Sequence, residues 1–534
     1  MKRFFLASIF LASALAVSGQ EFEPEDPGIV LPPVLLEIED ISAEQVDAEL
    51  PEIGGIPEES LDVPLPEPPE IEVPVELLSL EEGNGVSAPE ETGAAEGAEP
   101  ASFFSSGRIG LGNMNHIVGD VSLYKLGLEP HFYIQFIHER YDGYNFRPAG
   151  AGFFHQHDIV NGNFSFRSEN FLLDASLNYE ESTDGLQGLV DRSSFMHRTL
   201  WGDAAFTVPA EGLLSFTAEL QSSWSGETVS GADPINSSEV ILSPFVKGGL
   251  HISPLTLYLS GAYELRFTTG SPAAFHRIDS ALNADFQFDG DLSFGGDVGI
   301  AWNSLRGIDV PFFVYVKKGF SGIFDLSLSG GYERNQVTYY NLWEENSFYR
   351  LNPDHPFPER VRWYGAADIA WYIRPLLSLS GGVEFSRYLQ DLRPESAYDP
   401  ESGMLLFTQT PSLLLATKAD IRWETLEWFS LHAYWEGGFL DVNPFLPSHT
   451  FGIFLELRSK NNKWSGGVTG ELPIYSTVEV PEFGLHLSFA PAPGVEFSLR
   501  GADLLSPFIP ENRTIWGFYE TPGLSVLFTT SISL

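Results

Sequence analysis

From residue 103 onward the sequence repeats one script: segments of about ten residues in which apolar and polar side chains alternate, separated by Pro, Gly, Asn and Asp. In LTLYLSGAYELRF, Leu255, Leu257, Leu259, Gly261, Tyr263, Leu265 and Phe267 share one face, while Thr256, Tyr258, Ser260, Ala262, Glu264 and Arg266 share the other. The pattern returns in FDLSLSGGYER from Phe324, LLSLSGGVEFSR from Leu376 and WSGGVTGEL from Trp464. A period of two means strands with two unlike faces. Their connections alternate in length. Short turns such as Ser168 to Asn170, Ser253-Pro254, Arg374-Pro375 and Lys460 to Lys463 take turns with longer segments: Asp142 to Gln156, Ser182 to Met196, Gln336 to Glu359, Gln390 to Gly403 and Leu504 to Pro522. Hairpins of this kind, with an opening strand Arg108 to Gly112 and a closing strand Leu524 to Leu534, predict about 22 antiparallel strands.

What precedes this region is different. MKRFFLASIFLASALAVSGQ places Lys2 and Arg3 before the apolar run Phe4 to Val17 and the small residues Ser18 and Gly19, the pattern of a secretory signal peptide over residues 1–19. Residues 20–104 hold many Pro, Asp and Glu and no Lys or Arg. Such a stretch buries too little apolar surface to offset its ordering entropy, so a disordered, acidic, periplasmic segment is expected. Ile29 to Leu50, with its run of aliphatics, is the one part suited to docking on a periplasmic protein.

No segment after the signal is long and apolar enough for a spanning helix, so an exported chain with these strands crosses a membrane only as a closed barrel. The expected organisation is therefore all-β: a single transmembrane antiparallel β-barrel over residues 105–534, in the bacterial outer membrane. A soluble propeller or sandwich is the competing reading, but it would leave the apolar faces in water and calls for a blade repeat that is absent. Composition agrees with strands and tight turns, with 42 Phe, 51 Gly and 19% charged residues. A net charge of -44 argues against nucleic acid, and the absence of Cys excludes disulfides, thiolate metal sites and thiol catalysis.

Trp423, Trp428 and Trp464 sit beside expected periplasmic turns, and Trp201 and Trp224 near outer strand ends, as interfacial girdles require. The final strand, LSVLFTTSISL, puts Leu524, Val526, Phe528, Thr530, Ile532 and Leu534 on one face and resembles the C-terminal strand by which outer-membrane barrels engage their assembly machinery. The signal, the strand number and the long outer loops together resemble the barrel portion of TonB-dependent outer-membrane transporters. That resemblance is architectural and covers residues 105–534. It implies transport of a solute, passive or gated, and the lumen carboxylates below add the expectation that the solute is small and cationic or neutral. Those transporters carry a globular plug ahead of the barrel, and only the acidic Pro-rich segment stands there in this chain. Porins and fatty-acid channels remain alternatives, as does a structural or assembly role exercised through the acidic segment and the external loops.

On the expected lumen face a carboxylate recurs several residues after each short turn: Glu139, Glu180, Glu219, Glu264, Asp297, Glu333, Glu384, Glu436 and Glu471. One reading is an acidic collar that favours cations. The other is a polar wall meeting water, its carboxylates paired with Arg140, Arg266, Arg334, Arg387 and Arg500. His155 and His157, in FFHQHD, would point the same way on a strand, but a metal site needs a third ligand, and surface or loop positions are the simpler expectation. No cofactor is implied. No GxSxG, HExxH, P-loop or GxGxxG context occurs, and no catalytic residues are assigned.

Overall fold

The computed structural model describes residues 102–534 apart from short stretches at 128, 145–146, 210–212, 272, 289–290, 321, 346, 351–356, 375, 396, 427, 444–445, 476–479, 510–512 and 516–517. The signal, the acidic segment and the docking stretch Ile29 to Leu50 lie outside the described residues.

Twenty-two spanning strands pair antiparallel in chain order, from Ser102–Gly112 to Ser525–Ser533, and close into a barrel. Closure is direct: the first and last strands pair from Ser106↔Ser533 to Gly112↔Leu527, and Ser105 and Leu534 exchange backbone hydrogen bonds of 3.1 and 2.8 Å. A closed ladder leaves no edge whose N–H and C=O groups would meet lipid unpaired. The opening strand is longer than the expected Arg108 to Gly112, because its partner Ile117–Leu126 continues the pairing back to Ser102↔Leu126. At the last hairpin Gly494 has φ 76°, and a Cβ there would come within 2.5 Å of the Ser533 carbonyl oxygen. Glycine is thus required for this turn to pack against the closing strand.

Alternation decides the faces. On Leu255–Thr268, Leu259 and Phe267 are among the exposed large hydrophobics, whereas Arg266 is fully buried on the opposite side. On Leu292–Asn303 it is Phe294, Val298, Ile300 and Trp302 that are exposed. Repeated around the barrel, this makes an outward apolar belt of the kind that only lipid can cover. Trp371, Trp423, Trp428 and Trp464 are exposed near the short turns, and Trp302 and Trp363 near the opposite rim, so aromatic side chains border the belt at both ends. The fold is that of an outer-membrane β-barrel. One aromatic departs from expectation: Trp201 does not join a girdle. It lies opposite Asn178, one residue from the lipid-facing Leu200, and strand alternation turns it to the lumen.

The buried apolar core lies in none of the spanning segments' midpoints. It is gathered at the rim opposite the termini, where the long connections are. Leu186, Leu342, Met404, Leu405 and Tyr519, all at 0% exposure, come from four different loops and pack with Phe195, Val229, Leu392 and Phe407 at the strand ends. Since short turns mark the periplasmic side of such barrels, this assembly sits over the outer mouth.

Candidate site: the lumen wall and its outer mouth

Alternation places the nine carboxylates singled out above on the lumen side. They do not lie in one ring. The residue level with Glu180 two strands on is Ser225, well outward of Glu219 on the same strand. Their surroundings differ too. Arg362 joins two of them, with Nη1 2.6 Å from Glu384 Oε1 and Nε against Glu333. Glu264 lies 3.5 Å from Arg266. Glu139 and Glu180 meet His116 and His157 at 2.9 and 2.7 Å, and Glu471 accepts from the Tyr434 hydroxyl at 3.2 Å. Glu219 accepts from Gln221. Asp297 and Glu436 have no ion pair among the described residues, although Glu436 lies opposite Lys418 in register.

Of the expected arginine partners, only Arg266 meets a member of this set. Arg334 instead pairs with Asp309 and with the nearly fully buried Glu359. Arg140 and Arg387 fall on the outward face, one residue out of phase with Glu139 and with Ser386. Arg500 stands opposite His486 with no ion pair among the described residues. The guanidinium that does bridge carboxylates, Arg362, belongs to a neighbouring strand, and cross-strand register is what brings it there.

His155 and His157 are strand residues rather than loop residues. They face the lumen together, each bonded to a carboxylate: His155 Nδ1 to Asp184 at 2.8 Å and His157 Nε2 to Glu180 at 2.7 Å. Pairing across adjacent strands consumes the carboxylates as hydrogen-bond partners, and no metal-holding cluster occurs among the described residues.

The outer mouth is where the loops act. The connection after Phe324–Gln336 begins with a short helix, Tyr339–Glu345, started by a reciprocal cap. The Thr338 hydroxyl accepts from the Asn341 N–H at 3.0 Å, and the Asn341 side chain accepts from the Thr338 N–H at 3.1 Å. The helix turns inward and rests on lumen-facing residues of distant strands. The Tyr339 N–H donates to Glu239 at 3.1 Å, Arg266 donates to the Val337 carbonyl at 3.1 Å, and Trp343 stacks on His197 at 4.7 Å. Further along, Leu405 of a second connection donates its N–H to the Phe348 carbonyl and accepts from the Arg350 N–H, both at 3.0 Å. Phe348 stacks on Tyr519 at 3.7 Å, and the Tyr519 hydroxyl donates to the Gly403 carbonyl. Burial pushes the Tyr349 phenol up to about 12 and that of Tyr519 up as well, so both remain neutral donors. These residues had no periodic signature; only the aromatic and aliphatic content of the longest connection hinted at them.

No protein-family model and no curated protein matches this chain. Solved structures do. The ferric enterobactin receptor PfeA of Pseudomonas aeruginosa superposes with a TM-score of 0.63 at 8% identity, over 82% of this chain and 81% of that one. The copper transporter OprC gives 0.63 at 11% identity over the same shares. The siderophore receptor PirA of Acinetobacter baumannii gives 0.61 at 7% identity, again over 82% and 81%. Identities this low show a shared fold.

Proposed function

We propose that this protein provides a gated path across the outer membrane for a small cationic or neutral solute. One observation carries the reading: a closed barrel of this width has a polar, carboxylate-rich wall inside, and the chain's own loops cover its outer mouth. Barrels of this size hold an aqueous or plugged lumen. The wall's charge supports a preference for cations, since Asp297, Glu436 and the other carboxylates outnumber the lumen cations that meet them. Solved structures of this fold that are named as receptors and transporters are consistent with transport as the general role. In the same reading residues 1–19 are a signal peptide, residues 20–104 a periplasmic tether able to dock through Ile29 to Leu50, and the closing strand the element recognised by barrel-assembly machinery.

Solute flux into liposomes tests it. Protein reconstituted with and without residues 20–104 should admit small solutes, cations faster than anions of equal size. Replacing Asp297 and Glu436 together (D297N/E436Q) should reduce that bias, modestly because salt screens charge over about 8 Å. No flux of any solute in either form would contradict the proposal.

A further inference from the structure

We infer that residues 337–345 form a strap latched inside the lumen by Glu239, Arg266 and His197, and that passage requires its release; the inference rests on the passage reading above and names its regulation. Besides Trp343 edge-on to His157 at 6.1 Å and Glu345 paired with Arg360, three contacts to the barrel wall make the latch: Tyr339 N–H to Glu239, Arg266 to the Val337 carbonyl, and Trp343 on His197. They reach three strands, Ser194–Val208, Ile235–Ile252 and Leu255–Thr268, well round the barrel from the strands that the strap connects. A chord across the mouth follows from this topology.

The latch combines opposing contributions. On the apolar side, Val337, Tyr339 and Leu342 are exposed by 3% or less, which holds the strap down. On the polar side, the strap seals charged and polar groups away from water. Arg266 and Glu239 are 0% and 1% exposed, 3.4 Å apart, with Glu264 3.5 Å from the same guanidinium nitrogen. His197 is fully buried with neither ring nitrogen hydrogen-bonded, and the Trp343 indole N–H and one oxygen of Glu227, which faces His197 across the strands, also lack partners. Buried charges and unpaired polar atoms are costly, and water would restore them on opening. Release therefore exchanges apolar burial for hydration. Such a balance makes two arrangements close in free energy, which is what a gate needs.

The chain has no native cysteine, so a single introduced thiol reports on the strap. In a V337C background, a water-soluble maleimide reads release and single-channel current reads passage, on the full chain in planar bilayers or detergent. Adding W343L removes the stack on His197 and leaves every charge in place. Labelling should then be about tenfold faster, as loss of an aromatic pair predicts, and channel opening should be more frequent. In a separate H197C/W343C protein, joining the two thiols with a short cleavable cross-linker should silence the current, and cleavage should restore it. Retained unheated gel mobility shows that each barrel has folded. Faster labelling with unchanged opening, or a cross-linked protein that still conducts, overturns the gate while leaving passage intact. A folded W343L protein that labels quickly yet conducts nothing overturns passage itself.

Discussion

The membrane-spanning wall and the loop assembly over its mouth are stabilised in opposite ways. In the wall, large apolar residues such as Leu259 and Ile300 are exposed and the inner side is polar and charged, so the hydrogen-bonded ladder and the surrounding lipid do the stabilising. At the mouth the order is that of a soluble domain: Leu342, Met404, Leu405 and Tyr519 are fully buried beneath polar loops, and water drives the packing. The difference teaches that the two regions can fail separately. The wall has no core to lose, and the cap's own ladders are short, the pair Thr514–Ile515 with Tyr519–Glu520 and the bridge Tyr349↔Leu405.

Substitutions can break this comparison at chosen points. Arg266→Ala has the largest expected effect, about 3 to 5 kcal/mol, because Glu239 would be left as a buried carboxylate without its cation and the partly exposed Glu264 would lose the same partner. It sits where wall and cap meet, so both should loosen, read by thermal melts together with loop proteolysis. Leu342→Ala should cost about 2 to 5 kcal/mol, confined to the cap: loop proteolysis should accelerate while the barrel's melting temperature in detergent stays put. Leu259→Arg reverses the pattern at about 2 to 4 kcal/mol near the bilayer midplane, and reduced folding into lipid vesicles should reveal it with the cap's packing unaltered. Tyr519→Phe is the smallest, about 0.5 to 1.5 kcal/mol, since it removes only the hydroxyl bond to Gly403. Burial of the same phenol sets a pH window. The folded phenol titrates above its unfolded value, so its contribution is complete below pH 10 and is lost as pH rises through the raised value; the cap should loosen in strong alkali and be indifferent to acid in this respect.

The same contrast explains what could be read from the amino acids. The wall was legible because a strand must alternate: Leu255 to Phe267 announces its two faces without any partner, and the alternation of turn lengths orders the strands. Face assignment by residue class was less safe. Trp201 was expected at the interface because it is a Trp near a strand end, yet the period of two sends it inward with Thr199. Pairing across strands was not legible at all, which is why Arg362 was missed and Arg140 and Arg387 were credited with partners on the wrong face. His155 and His157 were expected at surface or loop positions; the strand Phe154–Arg167 begins just before them and turns both inward. The cap was the least legible part. Leu186, Leu342, Met404 and Tyr519 are far apart in the chain and belong to no repeat, so nothing but the closed barrel brings them together.

Amide hydrogen exchange of the protein in lipid nanodiscs tests this two-region account most directly. The spanning strands should show the slowest exchange, and residues 186–189, 337–345 and 402–405 an intermediate protection that disappears in Leu342→Ala while the strands are untouched. Simultaneous loss of protection in cap and wall, or loops unprotected from the start, would contradict it.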